Sequence, residues 1–182
     1  SADSFADLTK IVENNQVAFG DQYTWSSYNP TTRKVIYTQK ADKLTIMDGS
    51  SQIIFTVNAN DQVVSYEQTY AGSVQVLGKE RELITAQRAV EILYLAGRIS
   101  SKATVQSVKL SYYQSLVLKD FSIYSPAWYI EIRQADGQLI ARRVDAIHGT
   151  VLANETLETT NTQTQRTTTS NTTTTTQSVQ QQ

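Results

Sequence analysis

The chain has 182 residues, with 16 Lys and Arg against 17 Asp and Glu, a single His and no Cys. Balanced charge excludes the basic footprint of a nucleic-acid binder or a polybasic membrane patch. The missing Cys excludes thiol catalysis, thiolate metal sites and disulfides, and one His (His148) excludes every multi-histidine metal centre.

In chain order, Ser4 to Asn14 predicts a short helix. Ser4 is placed to cap it, and Phe5, Leu8, Ile11 and Val12 form one face of a 3.6-residue period. Gly20 closes the segment. The next stretch is strand-like: Tyr23 to Tyr28 ends at Asn29-Pro30, Val35 to Gln39 alternates, and so does Leu44 to Met47 before an Asp48-Gly49 hairpin signal. Ile53 to Val57 and Val63 to Tyr66 flank a polar turn, Asn58-Ala59-Asn60-Asp61, completing an antiparallel meander.

After a loose, charged connector (Lys79 to Glu82), Thr85 reads as the N-cap of a second helix, with Ile84 placed for a hydrophobic staple. Ala86, Ala89, Val90, Leu93 and Tyr94 make its apolar stripe, and Gly97 is its expected C-terminal stop. Three strands follow, Val108 to Tyr113, Trp128 to Arg133 and Leu139 to Val144. The last two are joined by the turn Ala135-Asp136-Gly137.

From about Ala153 the chain is Thr, Asn and Gln with almost no apolar side chains, the composition of a disordered tail. The organisation expected is therefore an N-terminal helix-plus-meander half over 1–77, a C-terminal helix-plus-sheet half over 78–152, and a tail over 153–182. The fold class is α+β, with helices packed on antiparallel sheet. Ala59 to Val64 lines up with Ala135 to Ile140 at an offset of about 76 residues. An internal duplication would give this match, and so would turn chemistry alone.

No catalytic constellation stands out. Asp145 and His148, three apart in a turn, are the one acid/base pair to weigh, since an Asp can orient an imidazole as a general base. No strand-turn-helix Ser motif accompanies them, and a hydrogen-bonded turn Asp beside an exposed His is the alternative. Glu80 and Glu82 belong to a solvated charge cluster. The seven glycines are scattered singly, so no phosphate-binding loop is formed. Asn58 to Asp61 has the first residues of a calcium loop but lacks the closing Glu, and reads as a hairpin turn. Asn154 and Asn171 match the glycosylation pattern within the Thr/Asn-rich tail. Catalytic, cofactor and metal residues are thus expected to be none, and partner-binding residues are undefined.

Ten Tyr and two Trp are the compositional signal. In Tyr112-Tyr113 and Trp128-Tyr129 successive side chains must face opposite sides of a strand. The outward ones serve either cross-strand packing or a protein interface.

The string Ser125-Pro126-Ala127-Trp128-Tyr129-Ile130, followed by Val144-Asp145-Ala146-Ile147-His148-Gly149-Thr150-Val151, resembles the C-terminal signature of the YycI (WalI) family. Phe5 to Leu8, Tyr66 to Tyr70, Ala89 to Tyr94 and Leu110 to Tyr113 fit similar patterns in order, so the resemblance spans residues 5–152. Asp145 stands where many relatives carry Asn. The resemblance implies the extracytoplasmic domain of a membrane-anchored regulator of Gram-positive bacteria. With a YycH-type partner, such proteins modulate the YycG/WalK sensor histidine kinase that governs cell-wall metabolism. The start at Ser1, without Met or signal peptide, then corresponds to a soluble portion lacking its single N-terminal anchor. No catalytic residues or cofactors come with the family. Trp128, Asp145 and Gly149 are read as a core indole, a turn acceptor and a residue free to take positive φ. The closing Asp-Ala-x-x-Gly-x-Val also looks like PepSY domains, which implies as an alternative a secreted protease-inhibiting or propeptide-like module.

Overall fold

The computed structural model describes residues 2–75, 77 and 80–153. The expected tail beyond Ala153, with Asn154 and Asn171, lies outside the described residues.

A single 3-10 turn, Ala2–Phe5, leads into α1 (Ala6–Glu13). Ser4 is not the cap: Phe5 occupies that position and no side chain caps the helix there. The tighter 3-10 turn replaces the capped start that the sequence suggested. Phe5, Leu8 and Val12 are buried, whereas Ile11 falls on the exposed margin of the stripe. Gly20 lies directly under α1, where a Cβ would come within 2.0 Å of the Val12 carbonyl oxygen. Only a residue without a side chain fits that approach.

The first sheet contains β1 (Tyr23–Asn29), β2 (Lys34–Ala41), β3 (Leu44–Thr45), β4 (Gln52–Val57) and β5 (Val63–Gln68). Its antiparallel order is β1-β2-β4-β5, with the two-residue β3 paired to the end of β2. Asp48-Gly49 is therefore not a hairpin turn, contrary to the sequence reading. Strand β4 pairs with β2, and Asp48 spends its carboxylate on Ser50 and on the second half of the molecule. Val35, Tyr37, Ile53, Phe55 and Val57 alternate onto one face and form a core with α1. Across that interface the Tyr37 hydroxyl meets Thr9 Oγ1 at 2.8 Å.

Helix α2 (Ala86–Leu95) begins as the sequence predicts, with Thr85 Oγ1 accepting the Arg88 N–H at 3.1 Å. It ends in a left-handed Gly97 (φ 68°), with Gly97 N–H bonded to Tyr94 O and Arg98 N–H to Leu93 O. This is the Schellman pairing of a helix C-terminus. Tyr94, expected on the buried stripe, is exposed, while Ile92 packs against the core in its place.

The second sheet is β6-β7-β8, formed by Thr104–Val117, Ser122–Arg133 and Leu139–Asp145. Ala89 and Leu93 from α2 bury against Ile130, Ile132, Ile140 and Val144. Burying a side chain such as Leu93 contributes roughly 2 kcal/mol. Strands β6 and β7 are longer than the pattern suggested, because the sheet runs through Pro126. The Pro126 carbonyl accepts the Ala146 N–H, so its missing donor faces the side on which β8 has just ended. A proline is tolerated in a strand where no ladder bond is lost.

The halves meet where β3 approaches β6. Ile46 bridges to Tyr112, the Met47 N–H donates to Tyr112 O at 3.0 Å, and the Gln114 N–H donates to Asp48 Oδ2 at 2.5 Å. The two hairpins related by the 76-residue offset also share one turn geometry. Asn58 N–H bonds to Gln62 O and Gln134 N–H to Gln138 O, and positive φ falls at Asp61 (58°) and Gly137 (85°).

Candidate functional site: the closing turn and the exposed edges

The Asp145-Ala146-Ile147-His148-Gly149 turn is the most polar buried constellation in the second half. Asp145 is 4% exposed. Its Oδ1 accepts the Ile147 N–H at 2.8 Å and the His148 N–H at 2.6 Å, and lies 3.2 Å from His148 Nδ1. Its Oδ2 accepts the Tyr113 hydroxyl at 2.6 Å. Burial alone would raise the Asp145 pKa. The bonds from Tyr113, His148 and Ile147 outweigh it and hold the carboxyl below its ordinary value. Tyr113 is pushed up to about 12, first by burial and then by donating to that carboxylate. Its hydroxyl is thereby held as a donor to Asp145.

His148 is sequence-adjacent to this network but chemically marginal. Its side chain is 72% exposed, and its ring nitrogen bonds only to Asp145 among the described residues. An Asp-His pair is thus present in space, and no serine or threonine hydroxyl bonds to it among the described residues. The geometry is that of a turn held by a saturated carboxylate. Gly149 sits at φ 68°, a backbone conformation that favours glycine, and a Cβ there would come within 3.1 Å of Ile92 Cδ1, which would have to give by a few tenths of an ångström. Trp128 packs partly buried against the α2 core, and its Nε1–H donates to Ile84 O at 2.9 Å, tying the start of α2 to β7. The indole is thus a half-buried clamp.

The remaining sequence candidates do not converge. Glu80 and Glu82 are exposed in a stretch without regular structure. Asn58 Oδ1 accepts the N–H groups of Asn60 and Gln62, as an Asx turn does. Among the described residues no group of three or more His, Asp or Glu side chains gathers to hold a metal ion. No described helix is long and apolar enough to cross a membrane.

Two positions that sequence reasoning missed carry much of the order. The Gln39 amide is fully buried. Its Oε1 accepts from Ser51 Oγ and from the Ala71 N–H (3.0 Å), and its Nε2 donates to Gly72 O (3.0 Å), so it pins the segment after β5. Asp48 is the other, the link to β6. In each case a polar residue in a strand or loop acts across long sequence separation, which no local pattern signals.

Apolar surface lies instead on the outside. Val63, Val64 and Tyr66 are exposed along β5, and Leu116, Val117, Leu118 and Phe121 at the tip of the β6–β7 hairpin. An open groove of about 730 Å³ between α2 and β6 is lined mainly by Val90, Tyr94, Leu95, Ile99, Ala103 and Val105. Phe19, 51% exposed and held at φ 56°, stacks on Tyr70 at 4.3 Å. Exposed apolar side chains that gather in one patch mark sites of association, whereas single ones are ordinary.

The molecule is therefore an α+β pair of helix-on-sheet halves whose buried polar groups hold turns and whose apolar surplus faces outward. The YycI protein family model matches residues 1–147, and the chain belongs to that family. Membership makes it a regulator of the YycH/YycI type, in regulatory partnership with a two-component system. No curated protein matches the chain.

Proposed function

We propose that this chain is the extracytoplasmic portion of a membrane-anchored regulator of a Gram-positive bacterium. Together with a YycH-type partner, it modulates a YycG/WalK-type sensor histidine kinase and through it cell-wall metabolism. It acts by contact and not by catalysis. The observation that carries this reading is the family match across both halves of the chain. A lone PepSY-like inhibitory module would need only about residues 80–152. Exposed apolar strands, hairpin tip and groove supply surface for docking, and outward aromatics are the side chains that interfaces favour. On this reading the domain pairs with its partner through sheet edges and exposed rings, and so holds the membrane anchors beside the kinase.

The test is co-purification of this domain with the YycH-type partner's extracytoplasmic domain, backed by crosslinking in cells. A stable or crosslinkable complex is expected. Absence of association in both assays contradicts the mechanism.

A further inference from the structure

One cation interrupts the apolar row that β8 turns towards α2. By the two-residue alternation of a strand, Arg142 shares that face with Ile140 and Val144, and its cross-strand neighbour on β7 is Ile130. All three are core residues, 5% exposed or less. The Arg142 stem is therefore rooted in the core, and the side chain as a whole is half-buried.

Its guanidinium is poorly satisfied there. Nη1 donates to Ala141 O, the carbonyl of the preceding residue, at 2.9 Å. Nε is shut off from solvent and has no acceptor among the described residues, and Nη2 makes no hydrogen bond among them either. A buried N–H without a partner is rare in a folded protein and calls for a reason. No acid balances the charge. Asp145 and Glu131 lie on the opposite face of the sheet, bonded to Tyr113 and to Ser107, and Glu91 pairs with Arg88. The charge that Arg142 does meet is a like one, that of Arg98. Arg98 directly follows the Gly97 stop of α2. Its N–H is bonded to Leu93 O, and both Leu93 and Ile99 pack into the core that holds Ile130 and Ile140, which fixes the Arg98 backbone on the Arg142 side of the sheet. Burial first, and then the Arg98 charge, lower the Arg142 pKa. An arginine so placed stays charged, so the fold carries a partly desolvated cation and a repulsion that an anion would relieve.

We propose that Arg98 and Arg142 form a binding site for a phosphate dianion, free or as the terminal group of a small monoester. The Nε–Nη2 edge of a guanidinium is a fork that grips two oxygens of one anion side by side. On Arg142 it is this edge that lacks a partner. Arg98 is exposed and makes no side-chain bond or ion pair among the described residues, so its own fork is available to the same anion. Two guanidinium groups match a phosphate monoester, which carries about two negative charges at neutral pH, whereas a single carboxylate would leave one positive charge over. The inference does not depend on the regulator reading, which the co-purification tests separately.

The experiment titrates the full chain with inorganic phosphate at constant ionic strength and follows the arginine Nε–H resonances by NMR. Arg142→Met keeps an apolar stem, and the signal it deletes is that of Arg142. In the unmodified chain this signal is expected to move downfield and saturate with phosphate, and glycerol 3-phosphate should move it in the same way. Acetate at the same ionic strength should move it far less. Arg98→Ala is expected to weaken phosphate binding about tenfold or more, the loss of one charge-assisted partner. In denaturation, phosphate should raise the midpoint of the unmodified chain and leave that of Arg142→Met unchanged. Circular dichroism establishes that both variants are folded, and Arg98→Ala, at an exposed position, carries the test if Arg142→Met is not. An Arg142 signal unmoved by phosphate and by the monoester overturns the proposal. So does acetate acting as strongly as phosphate. So too does phosphate stabilising Arg142→Met as much as the unmodified chain, which would mark a general effect of the salt.

Discussion

The hairpins β4–β5 and β7–β8 begin from the same turn and end differently. Both turns place positive φ at the same position of the 76-residue offset and close with the same backbone bond. After β8 the chain doubles back through the Asp145 turn and lays Thr150 to Leu152 against the strand, so its edge is occupied. After β5 the chain is instead drawn under the sheet by the Gln39 amide, leaving the β5 edge in water. One buried side chain thus decides in each half whether an edge is closed: a carboxylate that gathers N–H donors, or an amide that anchors a departing segment.

Breaking the closed side has the largest expected effect. Asp145→Ala leaves the Tyr113 hydroxyl and two turn N–H groups without their acceptor, at a cost of about 3–5 kcal/mol of unfolding free energy. Chemical denaturation measures it. The same carboxylate gives a pH signature. Its folded pKa is depressed, so its contribution is present above the ordinary carboxylate range and is lost as pH falls through the lowered folded value. Asp145→Asn removes that acid-side slope, and a slope unchanged in the variant contradicts the assignment.

On the open side, Gln39→Ala leaves the Ser51 hydroxyl and the Ala71 N–H only their longer bonds, to Thr69 O at 3.3 Å and Ser51 Oγ at 3.2 Å, and frees Gly72 O, costing about 2 kcal/mol. Amide exchange across 69–72 should rise with it. Tyr113→Phe is smaller, about 1–2 kcal/mol, and raises the pH at which the Asp145 contribution is lost, because one bond holding the carboxylate ionised is gone. His148→Ala, at an exposed ring, should change stability by about 0.5 kcal/mol or less and leave partner binding unaltered. A large loss in either would return His148 to functional candidacy.

Much of this architecture is written in local pattern. The Thr85 cap, the Gly97 stop, the Asn58 and Asp136 turns and the alternating strands all follow from short-range chemistry, and they appear where the residues placed them. The failures share one cause. Ser4 looked like a cap because its residue type favours that role, but a 3-10 turn intervened. Asp48-Gly49 looked like a hairpin, but the strands around it pair with others. Gln39, Asp48 and the open state of β5 depend on what the fold brings alongside, which spacing does not encode. The Asp145 turn was legible as a turn, while its bond from Tyr113, 32 residues away, was not.

The most direct test of an open first edge against a closed second one is residue-resolved hydrogen exchange in dilute, monomeric protein. Tyr66 N–H, which faces solvent, should exchange at close to the rate of an unprotected amide. Asp145 N–H, bonded to Thr150 O at 2.8 Å, should exchange orders of magnitude more slowly. Equal protection at the two positions would show that β5 is covered, and would contradict the account.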